Sequence, residues 1–198
     1  PIFNFALSII VFTAIFMSEG EATDPLAVGA LREMPMTQEL EVGDVLVSID
    51  GIAIPSMDED GGFYALESQV QKAAEIPYAV ERAGVKTDLT GPYPFPALIS
   101  MVAPQSAALS AGLKVGDVIT AIDGTPVFAF AQLKERVEGG NGAPLLLDLW
   151  NAGETRQVTL SPKRVDEAQA DNTFVTQWRI GVAGGLFFEP STQSTNIF

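Results

Sequence analysis

The sequence predicts an α+β protein: two copies of one small, strand-rich unit behind an apolar helix. Three observations carry this. Leu113 to Gly124 repeats Leu40 to Gly51, with eight of twelve residues identical at a constant offset of 73. An internal repeat of that kind fixes the unit of the fold before any local reading does. Around each copy, short apolar runs alternate with Asp-Gly and Ala-Gly pairs, the mark of hairpins. Ahead of both lies a stretch, residues 1–17, with no charged side chain. The roughly 180 residues after it suit two small domains.

Composition removes several functions. The net charge is −14, so a phosphate backbone is repelled and nucleic acid is no partner. There is no cysteine, hence no disulfide and no thiolate metal site. There is no histidine, which removes the usual general base, the usual zinc ligand and the Ser-His-Asp triad together.

As a helix, the opening stretch would run roughly 26 Å, just short of a ~30 Å hydrocarbon core. Its apolar residues occupy every face, which suits lipid, and the expectation is a transmembrane helix over residues 1–18. Asn4 is its one side-chain amide and needs a partner: the interface, another helix or a bound strand. Beyond it come Glu19, Glu21 and Asp24 with no Lys or Arg before Arg32, the pattern of a non-cytoplasmic flank.

The first copy is expected over residues 24–96. Ala27 to Leu31 reads as a strand, and Gly43-Asp44 turns into a second, Val45 to Ile49. Asp50-Gly51 makes a hairpin and Ser56 to Gly62 a loop. Leu66, Val70 and Ala73 share a face of a helix from Phe63 to Ala74. Ala83-Gly84 joins a second hairpin, and Gly91 to Pro96 is a proline-rich connector. The second copy is expected over residues 97–190. Leu98 to Val102 is a strand and Ser106 to Ala111 a short helix stopped at Gly112. Val118 to Ile122, the Asp123-Gly124 hairpin and a helix from Phe128 to Val137 come next. Leu145 to Trp150 and Thr155 to Leu160 pair around Asn151 to Gly153. Residues 165–173 read as loose, Trp178 to Val182 as a final strand, and residues 191–198 as a tail. The two Gly-Asp pairs are turn formers, not catalysts.

The order strand, Ser106-Ala107-Ala108-Leu109-Ser110-Ala111-Gly112-Leu113, Gly116-Asp117-Val118-Ile119, Ile122-Asp123-Gly124, helix, hairpin resembles the PDZ domain. That is a small, partly open β-barrel with helices. Met36 to Leu40 stands where the first copy would carry the Ala-Gly-Leu signature. The segment order is similar to the circularly permuted bacterial form, whose peptide-binding strand comes last. The resemblance implies a peptide groove in the second copy, with Ile180, Gly181 and Val182 as carboxylate loop and strand and Leu133 and Val137 on the helix wall. In the first copy it implies Leu89, Thr90 and Gly91.

Pro1-Ile2-Phe3-Asn4-Phe5 resembles the motif that opens the second transmembrane helix of site-2 proteases. In the regulator of sigma-E protease group that helix leads into tandem PDZ domains. The resemblance implies that Pro1, Asn4 and Phe5 lie near the substrate strand in the membrane. It also implies a zinc metalloprotease parent, multi-pass in a bacterial inner membrane, whose catalytic and zinc-binding residues lie outside this chain. The PDZ pair would sit in the periplasm as a substrate size filter, a peptide-binding module or both. Its partners would be the lipid bilayer and a membrane-protein substrate such as an anti-sigma factor, or a cleaved C-terminal peptide. The alternative is a tandem-PDZ module of an HtrA-type protease or a secretion-system scaffold.

Overall fold

The computed structural model describes residues 21–57, 59–168 and 174–193. The chain enters on β1 (Glu21–Ala22) and β2 (Val28–Leu31). It then builds a four-stranded antiparallel sheet from β3 (Val45–Ile49), β4 (Ile52–Ala53), β5 (Ile76–Arg82) and β6 (Val85–Gly91), in the order β4-β3-β5-β6. After β7 (Ile99–Val102) and the short helix α1 (Ala107–Ser110), the plan repeats. β8 (Val118–Ile122) and β9 (Thr125–Pro126) lead to helix α2 (Phe130–Gly139), β10 (Leu145–Asn151) and β11 (Glu154–Leu160), with strand order β9-β8-β10-β11.

The hairpins arise from local chemistry. Asp50 and Gly51 have φ of 53° and 75°, and Asp123 and Gly124 have 50° and 76°, the left-handed pair a tight two-residue turn requires. The same corner joins the entering strand to each four-stranded sheet. Val28 N–H donates to Asp44 O and Leu46 N–H to Leu26 O, both at 2.9 Å; Ile99 N–H donates to Asp117 O at 2.8 Å and Ile119 N–H to Ala97 O at 2.9 Å. The molecule is thus mostly β-sheet with few helices, as the sequence predicts.

Three stretches differ from expectation. The helix from Phe63 to Ala74 is only a 3-10 helix, Gly62–Ser68. Polar side chains compete for its backbone: the Ser68 hydroxyl and the Gln69 amide both donate to Ala65 O, and Asp50 Oδ2 accepts from Gln71 N–H. Where residues 165–173 read as loose, β12 (Lys163–Ala168) runs antiparallel to β13 (Phe174–Arg179), and Trp178 of the expected final strand belongs to that pair. The final strand does not run straight through. It breaks at Ile180-Gly181 and resumes as β14 (Val182–Gly184) on β7.

The last described strands return to the first. β15 (Phe188–Pro190) pairs with β2, and β16 (Thr192–Gln193) pairs with β1. Two apolar cores result. The second is built around Ile99, Ile119, Leu133, Leu147 and Leu149, with Ile180 packed in. The first surrounds Ile49, Leu66, Tyr78 and Val80, and it includes Ala129, Phe187 and Phe188 from far along the chain. Among the described residues, no helix is long and apolar enough to cross a membrane. The span expected over residues 1–18, with Pro1, Asn4 and Phe5, lies outside the described residues.

Candidate peptide groove

The groove lies between α2 and β14. On α2, Phe130, Leu133 and Val137 stand at i, i+3 and i+7, one face of a helix. Gln132 Oε1 fixes the start of that helix, accepting from the amides of Phe128 and Ala129 at 2.8 and 3.0 Å. Across from them run Ile180, Gly181 and Val182. The five residues expected to form a groove, Leu133, Val137, Ile180, Gly181 and Val182, all line one cavity of about 610 Å³. Its lining also includes Phe130, Lys134, Glu138, Lys163 and Arg179.

Register decides which backbone groups face this cavity. Ala103 N–H donates to Gly181 O at 2.8 Å, while Val182 stands opposite Val102. In an antiparallel ladder, the pair next to such a bond is the non-bonded one. The N–H and C=O of Val182 therefore point away from β7, toward α2. A regular ladder would return a bond from the Gly181 amide to Ala103. Gly181 has φ of +81°, which turns its amide out of the ladder, and no hydrogen bond among the described residues takes it up. Two successive amides thus face the cavity, the arrangement that holds an anion.

Only glycine fits at 181. A Cβ there would sit 2.3 Å from the Cβ of Ser106. Ser106 is itself fixed, since its hydroxyl accepts from Leu109 N–H at 3.0 Å as the N-cap of α1. At the other end of the groove the Phe130 ring lies on Gly184, where a Cβ would come within 2.6 Å of it. Three cations, Lys134, Lys163 and Arg179, line the cavity against one anion, Glu138, in a chain of net charge −14.

The first unit's groove is built differently. Leu89, Thr90 and Gly91 are not beside β2; they belong to β6 and pair with Tyr78, Pro77 and Ile76. By pairing, the counterpart of β14 is β15: Phe188 opposes Leu31 as Val182 opposes Val102. The stretch matching Ile180-Gly181-Val182 is Leu186-Phe187-Phe188, whose signal in sequence is hidden by its distance from the first repeat. On the helix side Phe63, Leu66 and Val70 repeat the spacing of Phe130, Leu133 and Val137. Here the space is filled. Phe63 meets Phe188 edge-on at 5.5 Å and Phe95 of the connector at 5.4 Å, and Tyr64 meets Phe95 at 5.7 Å. Tyr93 secures the connector by donating to Glu67 O at 2.8 Å.

The two Gly-Asp acids sit outside both grooves, each gripped by an arginine. Arg82 donates through Nε and Nη2 to the two oxygens of Asp44 at 2.7 and 2.8 Å. Arg156 holds Asp117 at 3.0 and 2.5 Å, with Asn151 adding a bond at 2.8 Å. Burial alone would raise both carboxyl pKa values. The arginine bonds and the amides of Glu41 and Lys114 outweigh it and hold both below the usual 3.8. Among the described residues, no group of three or more potential ligands is placed to hold a metal ion. With neither His nor Cys in the sequence, these residues do not fit a zinc centre.

Comparison with known proteins agrees with the geometry. Residues 98–151 match the sequence profile of the PDZ domain. The periplasmic serine endoprotease DegP of Escherichia coli is 36% identical over 80 residues, covering 40% of this chain and 17% of that protein. A protein of Agrobacterium fabrum named as a zinc metalloprotease is 30% identical over 87 residues, covering 44% of this chain and 22% of its own length. The regulator of sigma-E protease RseP of Salmonella typhimurium is 26% identical over 189 positions, covering 82% of this chain and 41% of that protein. The chain spans less than half the length of each of these relatives. Residues 98–151, which carry β8, β10 and the α2 wall of the groove, are therefore PDZ-domain sequence, and the likeness to proteases extends over most of the chain.

Proposed function

We propose that this chain is the regulatory region of a protease and that the groove between α2 and β14 binds the free C-terminus of a protein in extended form. The observation that carries this is the pair of outward amides at Gly181 and Val182, set at the head of an apolar trough. A peptide would add to β14 as a further strand, with its carboxylate on those amides and alternate side chains against Leu133, Val137 and Ile180. The facing walls fit each other in length. Eight residues of α2 span about 12 Å, and about four extended ligand residues cover the same distance. The first groove, filled by Phe95, takes no peptide in this reading; that unit contributes bulk.

The parent in this reading is a membrane-embedded zinc metalloprotease with its PDZ pair in the periplasm, its zinc held by residues outside this chain. The RseP likeness across 82% of the chain supports it. Its ligand would be a cleaved C-terminal peptide or a membrane-protein substrate such as an anti-sigma factor, and the two-unit division of the chain is part of the same reading. The DegP likeness favours a second parent, an HtrA-type serine protease, although it covers only 40% of the chain.

Titration of the full chain with a fluorescein-labelled peptide ending in Val-Phe-Val tests the groove. Saturable binding in the micromolar range is expected, and it should vanish when the last residue is Asp. Binding that ignores the last side chain, or none up to millimolar peptide, overturns the reading.

A further inference from the structure

The head of the groove is already spanned by an ion pair. Arg179 ends β13, immediately before the Ile180-Gly181 break, and Glu138 stands on α2 next to Val137. Arg179 Nη1 donates to Glu138 Oε1, and its Nη2 donates to Gln177 Oε1. Glu138 and Arg179 both line the cavity, and they belong to its opposite walls. Their bond therefore crosses the mouth at the end where the Gly181 and Val182 amides point.

A guanidinium is matched in shape and charge to one carboxylate, and a second carboxylate on the same fork is repelled by the first. Glu138 already gives Arg179 what a ligand's terminal carboxylate would give it. The other cation at this end is also engaged, since Lys163 Nζ donates to Gln105 O at 2.9 Å.

We propose that Glu138 is a built-in competitor for the ligand's terminal carboxylate: a free C-terminus seats fully only by displacing Glu138 from Arg179. This rests on the reading of the groove as a peptide site and adds a specificity residue to it. Glu138 then sets how strongly the groove prefers a free acid to a blocked or internal segment. A ligand without a terminal charge leaves the ion pair in place and binds through strand pairing and apolar contact alone. The Glu138 side chain is 35% exposed and lies outside both apolar cores, so its isosteric amide leaves the walls standing.

The test uses the full chain and two probes, the peptide ending in Val-Phe-Val as free acid and as C-terminal amide. Glu138→Gln should tighten the free acid about three- to fivefold, the scale of a partly exposed charge pair, and leave the amide unchanged. In an Arg179→Gln background the same substitution should no longer separate the two probes, because the contested cation is gone. An equal change for acid and amide, or weaker binding of the acid, overturns the competitor role while leaving the groove intact. Failure of every protein to bind either probe overturns the groove itself, and the competitor with it.

Discussion

Asp44 and Asp117 show what one carboxylate does in this fold. Each lies at the corner where the entering strand meets the sheet, almost wholly buried, and each is clamped by an arginine 38 or 39 residues further on. Asp117→Asn should cost about 2 kcal/mol in urea unfolding. That is less than the ~3–5 kcal/mol of a fully buried pair, because the Arg156 side chain is 36% exposed. The pH dependence comes from the lowered pKa values of both acids. Their contribution is complete above the unfolded value of 3.8 and is lost as pH falls through the lower folded values. Urea midpoints should therefore drop below about pH 4, and the paired substitution Asp44→Asn, Asp117→Asn should flatten that acid limb. At Gly181, Gly181→Ala meets both a left-handed backbone and the fixed Ser106. A loss of about 2 kcal/mol or more, with weakened peptide binding, is expected in parallel melting and titration experiments. The sequence shows the Gly-Asp turns plainly. It does not show the arginines that grip them, because Arg82 and Arg156 sit one hairpin away and look like ordinary surface cations until the sheet folds them back.

At the scale of elements, two helices with one pattern come to different ends. Phe130, Leu133 and Val137 repeat Phe63, Leu66 and Val70, yet one row lines a cavity and the other is sealed beneath Phe95. The difference lies in the path the chain takes on leaving the last strand of each sheet. After β6 the connector folds over the helix, held by Tyr93; after β11 the chain leaves as the β12–β13 hairpin and keeps α2 open. Periodicity reveals Leu66 and Val70, and the family resemblance reveals Leu133 and Val137; the two phenylalanines that begin the rows, Phe63 and Phe130, emerge only from the structure. Neither points to Lys163, which only β12 brings to the cavity. The pairing itself is hard to read in sequence because Lys163 to Glu167 is largely polar and only Trp178 of the two strands packs against a core. Hydrogen exchange offers a direct check on β14. The free-acid peptide should slow exchange at Gly181 and Val182 by at least tenfold, since those amides gain their first partner, while the amides of β15 keep their rates.

The whole molecule is interleaved. The first core is finished by residues that come after the second, so the stretch between them hangs from a unit that is completed last. Phe188, 1% exposed, is part of that closure. Phe188→Ala should cost about 3–5 kcal/mol of the first unit's stability. Calorimetry should then show the first unit's transition moving down while that of the second unit stays. A boundary at 96/97 is what the repeat suggests, because a repeat in sequence marks where each copy is recognisable. It cannot mark where a strand is borrowed: Phe188 to Pro190 carry no feature of the repeat, and only their pairing with Val28 to Leu31 assigns them.

The pairing of β1 with β16 sets Glu21 opposite Gln193 and Ala22 opposite Thr192. The path into the described region and the path out of it run side by side, about 5 Å apart as neighbouring strands must. Ala22 also packs against the first core, so both paths lie on the body of the first unit. Whatever flanks the described region on either side therefore meets the molecule at one place, beside the first core, and not at opposite poles.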